Sequence, residues 1–117
     1  MEFHAFDRMA AMTVDDKIAR MVDQIVKAAQ PDQIILFGSR ASGSPRSDSD
    51  VDFLVVMPLT KPRRRLEGDL HAALADADLA KDIMVVTPEE LVRFRNVPGT
   101  IVQPAVATGK VVYRRAA

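Results

Sequence analysis

A chain of 117 residues that is 48% hydrophobic suits one domain with one modest core and leaves no length for a second substrate domain. Sixteen basic residues balance sixteen acidic ones, so no whole-molecule field draws in a nucleic-acid backbone, and direct nucleic-acid binding is not expected. With no cysteine there is neither a disulfide frame nor a thiolate metal site, which favours magnesium-type oxygen chemistry over zinc. No apolar run approaches the roughly 20 residues of a membrane span, and the start, MEFHAFDRMA, lacks the apolar core of a signal peptide. The expectation is a soluble cytoplasmic protein, with residues 1–12 as an N-terminal extension and 13–117 as one domain.

In chain order, Val14, Ile18, Met21, Val22, Ile25 and Val26 recur at helical spacing, and Thr13 with Asp16 has the form of a capping box. Pro31 closes that helix. Gln33 to Phe37 is a short apolar run bounded by Pro31 and Gly38, as expected of a buried strand. Asp50 to Met57 makes a second strand, apolar on both faces from Phe53 onward, which argues for a central position in a covered sheet.

The spacing of Leu66, Leu70, Ala73, Leu74 and Ala77 predicts a crossover helix from Pro62 to about Ala77. Lys81 to Val86 is a third strand. Thr87-Pro88-Glu89-Glu90 is a helix start, with a threonine cap, proline at the first helical position and glutamate three after the cap. A last helix from Thr100 to Thr108 carries Pro104 within it, and Gly109 is its expected cap before a final strand, Val111 to Tyr113. The order predicts an α/β (α+β) domain: a small mixed sheet flanked by helices.

The chemistry gathers in GSRASGSPRSDSDVD. Residues i and i+2 of a strand share a face, so Asp50 and Asp52 present two carboxylates together while Val51 turns to the core. Two anions so close call for a cation between them, and a pair of divalent ions can hold both the attacking and the leaving oxygen of a phosphoryl displacement. Gly38 lets a phosphate approach the backbone, where N–H groups of the turn from Ser39 can donate to it. Arg40 is a candidate fork for a triphosphate tail, or the partner of a surface acid. If the second and third strands are parallel neighbours and the first is antiparallel to the second, Gly38, Ser39, Asp50, Asp52 and Asp82 all reach one edge of the sheet. Asp82 then supplies a third ligand and a group able to orient or deprotonate an attacking hydroxyl.

Gly-Ser followed after ten residues by Asp-x-Asp resembles the signature of the DNA polymerase β-type nucleotidyltransferases. The short chain, the strand Lys81-Asp82-Ile83-Met84-Val85-Val86 and the sequence GKVVY are similar to the minimal nucleotidyltransferases of that superfamily. The resemblance implies two Mg2+ ions, ATP as substrate and release of pyrophosphate, with Gly38 and Ser39 on the triphosphate and Asp50, Asp52 and Asp82 on the metals. It also implies an antitoxin role beside a HEPN-domain toxin, with AMP moved to a tyrosine of that partner. The chain is too short to hold an acceptor by itself, which points the same way. Two other readings stay open: an antitoxin that binds nucleotide and acts by occlusion, and a catalytic subunit for a small-molecule acceptor. The run Arg63-Arg64-Arg65 reads as a solvated helix start, with contact to a triphosphate, nucleic acid or partner as the alternative.

Overall fold

The computed structural model describes residues 12–42 and 50–116. The expected extension therefore lies, apart from Met12, outside the described residues, as does segment 43–49. The first helix, α1 (Val14–Ala29), starts at the predicted capping box. The Thr13 hydroxyl accepts from the Asp16 N–H at 3.1 Å, and the Asp16 carboxylate accepts from the Thr13 N–H at 3.2 Å. Gln30 ends it in the left-handed region, at φ 46°, with its N–H bonded to the Val26 carbonyl at 2.9 Å.

There follow β1 (Gln33–Phe37), a single short turn of helix α2 (Ser39–Ser42), β2 (Val51–Val56), α3 (Arg63–Ala73), β3 (Lys81–Val86), α4 (Pro88–Phe94), α5 (Val102–Thr108) and β4 (Lys110–Arg114). The sheet has the order β3-β2-β1-β4, with β2 and β3 parallel and β1 antiparallel to both β2 and β4. It is the expected mixed sheet. β2 is internal, and both of its faces are covered because its apolar run leaves neither face fit for water.

On one face α1 and α3 pack over Ile34, Leu36, Phe53, Val55, Ile83 and Val85. On the other, α4 and α5 pack over Ile35, Phe37, Leu54, Val56 and Val86. Phe53 is wholly buried, and truncating such a ring to alanine costs about 3–5 kcal/mol.

Two expectations change in detail. The crossover helix ends at Ala73 rather than Ala77: the Leu74 N–H is shared between the carbonyls of Leu70 and His71, a tightened last turn. Pro104, expected to disturb the last helix, sits two residues after its first, Val102, in the turn whose N–H groups have no helical partner to lose. Gly109 caps that helix as predicted, but for a different reason. Its φ of −82° suits any residue; a Cβ there would lie 2.2 Å from the Ala105 carbonyl and 2.9 Å from that of Leu36.

At the far end of β2 and β3 begin α3 and α4, joined by Arg63, whose Nη2 donates to both carboxylate oxygens of Glu90 at 2.9 Å. Glu90 also completes the capping box at Thr87. The arginine run thus lies a whole strand away from the N-terminal ends of β2 and β3, and the triphosphate alternative for it falls. Arg63 is a tie between helices; Arg64 and Arg65 are exposed. No helix of the described residues is long and apolar enough to cross a membrane.

Candidate active site

The C-terminal end of β1 and the N-terminal ends of β2 and β3 share one edge. Asp52 stands in register with Phe37 on one side and with Asp82 on the other. Its neighbours Val51 and Phe53 belong to the core under α1 and α3, so strand alternation turns Asp52 to the opposite face. There Phe37, buried in the core under α4 and α5, sets an apolar ring beside the carboxylate's strand position. Asp50 lies two residues before Asp52 at the mouth of the strand and is exposed, as is Asp82.

The glycine turn meets this set directly. Gly38 has φ +78°, a conformation that L side chains rarely adopt, and a Cβ built on it would come within 2.3 Å of Asp52 Oδ2. Glycine is needed twice over: for the turn, and for the closeness of turn and carboxylate. α2 opens at Ser39 immediately behind this contact, a single turn closed by the Ala41 N–H on the Gly38 carbonyl at 3.1 Å. Segment 43–49, which supplies the rest of the ten-residue spacer, is outside the described residues.

Burial, and then the carboxylates of Asp82 and Asp50, raise the Asp52 carboxyl above its ordinary value. None of the three takes part in an ion pair with another described residue. The set therefore favours a proton or a cation. It is not a closed cage: among the described residues no group of three or more His, Asp or Glu is gathered tightly enough to hold a metal by itself. This openness fits magnesium, which is usually held by one or two carboxylates together with substrate phosphates and water.

Of the predicted site residues, Gly38, Asp52 and Asp82 are brought together, Asp50 reaches the same edge, and Ser39 opens the adjoining helix. Arg40 departs from them. It lines a groove on the other face, between α1 and β4, together with Lys110 and Asp15. Phe37 was not singled out in the sequence; an aromatic residue just before the Gly-Ser pair is the signal that marks it.

The polymerase β nucleotidyltransferase model matches residues 20–117. No curated protein matches the sequence. Among solved structures, a toxin–antitoxin complex with AMP-PNP is similar at a TM-score of 0.55 and 24% identity, over 83% of this chain and 73% of that one. The toxin–antitoxin MntA-HpeT, in a variant with two aspartates two residues apart replaced by glutamate, matches at 0.55 and 20%, over 83% and 73%. A candidate nucleotidyltransferase from Sulfolobus solfataricus matches at 0.54 and 20%, over 85% and 78%. At these identities the likeness is one of fold. The family model, which spans most of the chain and takes in the Gly38 turn and all three aspartates, carries the assignment: this protein belongs to the polymerase β-type nucleotidyltransferases.

Proposed function

We propose that the protein transfers AMP from ATP to a hydroxyl of a protein partner, a tyrosine of a HEPN-domain toxin. The observation that carries this reading is the approach of Gly38 to Asp52, with Asp82 in register beside it. Backbone N–H groups from Ser39 onward hold the triphosphate. Asp50, Asp52 and Asp82 would hold divalent cations, which when bound would offset the negative charge of the phosphates during transfer. Asp82, exposed at the outer strand, accepts the proton of the attacking hydroxyl. The new bond joins the acceptor oxygen to the α-phosphorus, the bond from that phosphorus to the bridging oxygen breaks, and pyrophosphate departs.

The protein acceptor is supported by the toxin–antitoxin complexes among the similar folds. The competing reading is that nucleotide is bound and the partner is neutralised by occlusion alone.

Incubation with labelled ATP, Mg2+ and a HEPN partner separates these. Label on the partner's tyrosine, lost in Asp50→Ala with Asp52→Ala together with protection, supports transfer. Protection that survives the double substitution establishes occlusion, and label on a soluble hydroxyl compound without any partner establishes a small-molecule acceptor.

A further inference from the structure

The two edges of the sheet are finished differently. β3 is closed by its own fold: the Val85 N–H, which faces away from β2, donates to Glu67 Oε2 of α3 at 2.9 Å. A glutamate laid on an outer strand blocks further pairing. β4, the opposite edge, has no strand on its outer side among the described residues. It is also the more open strand, with Lys110, Val111 and Arg114 exposed and Val111 at 49%.

Beside β4, on the α1 face, runs a groove of about 530 Å3 whose apolar walls are Val14, Ile18 and Val22 of α1 against Leu36 and Val112. This is within the size range of sites that take a ligand or anchoring side chains. An unpaired strand edge next to an apolar groove is the combination used for strand addition, in which backbone bonds give affinity and the groove takes alternate side chains.

Charge identifies the occupant. Lys110 has no ion pair among the described residues, and Arg114 donates to the neutral amide of Gln33 at 3.2 Å, so both ends of β4 keep their positive charge. A second copy of the chain is a poor fit. β4 bulges where Val112 has no residue opposite it on β1, which puts Lys110 and Arg114 on opposite faces; antiparallel self-pairing about Val112 would set bulge against bulge and bring basic residues together at each end with no acid between them. Within the groove the charges are mixed, Asp15 and Asp23 of α1 with Arg40, so the uniformly basic positions are those at the two ends of β4.

We propose that the outer edge of β4 docks an extended segment of a protein partner that is acidic at both ends and apolar in its centre. The ends would meet Lys110 and Arg114, and the centre would fill the groove against α1. The inference does not depend on nucleotidyl transfer, because neither β4 nor α1 contributes a carboxylate to the candidate active site.

The test titrates the intact chain, followed by amide NMR, with a blocked ten-residue peptide of alternating valine and threonine flanked by glutamate pairs. A second peptide replaces the glutamates by lysine. The expected result is saturable movement of the Lys110–Arg114 and Val14–Val22 amides by the acidic peptide, with affinity at least about 10-fold above that of the basic one. Lys110→Glu with Arg114→Glu, both at exposed positions, should reverse the preference. Equal response to both peptides, no response, or movement confined to other elements overturns the proposal. So does a dimer paired through β4 without peptide, or a β4 edge that responds only once residues 1–11 are deleted.

Discussion

At the C-terminal ends of β2 and β3, Arg63 and Glu90 close at 2.9 Å and Lys61 meets Asp69 at 3.0 Å. At the N-terminal ends of the same two strands, Asp50, Asp52 and Asp82 gather with no cation among the described residues to offset them. The strands are the same and the backbone pairing is continuous; only the charges at their two ends differ. One end settles its electrostatics within the fold. The other leaves them unsettled, which is the condition of a site that awaits charged ligands.

The largest expected effect tests the unsettled end. Asp52→Asn should lower nucleotidyl transfer by about 10³-fold, the scale of losing a group that stabilises developing charge. It should also raise the melting temperature slightly in metal-free buffer at neutral pH, a small gain because Asp52 is only partly buried and water screens its repulsions. The sign follows from the direction of the shift. A carboxyl raised in the folded state holds its proton more tightly there, so ionising it costs stability as pH rises through that raised value. The gain in Asp52→Asn should vanish in acid, where the wild-type group is protonated as well. A variant that melts below the wild type at neutral pH would sink the claim that burial and like charge strain this end.

A smaller effect is expected at the settled end. The Glu90 carboxyl is held below its ordinary value by the Thr87 N–H first and then by Arg63. A carboxyl lowered in the folded state stabilises above the unfolded glutamate value, and its contribution is lost as pH falls through the folded value. Glu90→Ala should cost about 1–2 kcal/mol at pH 7, the range of a lost helix cap, measured by urea unfolding. Its deficit relative to wild type should narrow as the pH falls below the ordinary glutamate range, while transfer by the folded variant stays unchanged. A constant deficit across that range would mean that packing, not charge, joins the two helices.

The smallest effect belongs to Arg64→Ala with Arg65→Ala. Stability should stay within about 0.5 kcal/mol, and the KM for ATP should not move, because the run stands at the wrong end of the strand. A several-fold rise in that KM would break the division between the two ends.

How much of this could be read from the chain depended on distance along it. Thr13 with Asp16 and Thr87 with Glu90 are three residues apart, so both capping boxes follow from local sequence. Asp82 could be reached across thirty residues because a crossover helix between parallel strands leaves few ways to arrange them. The Arg63–Glu90 tie, the Glu67 carboxylate on Val85 and the turning of Arg40 toward β4 could not. Each depends on which helices stand side by side, and residue spacing carries no such information. Gly109 shows the same limit in one residue: its place as a cap was readable, whereas the reason, two carbonyls occupying the room of a Cβ, exists only after β1 and α5 have met.

The in-register pairing of Asp52 with Asp82 has a consequence for how freely this protein can change. Were β3 to slip by one residue, Asp82 would turn into the apolar layer beneath α3, and Ile83 and Val85 would turn out of it. Misalignment of the carboxylates and collapse of the core are therefore one event. Substitutions that keep the alternation of β3 keep the acid in position without selection acting on the acid's position at all. The alignment of the chemistry is inherited from the alignment of the grease.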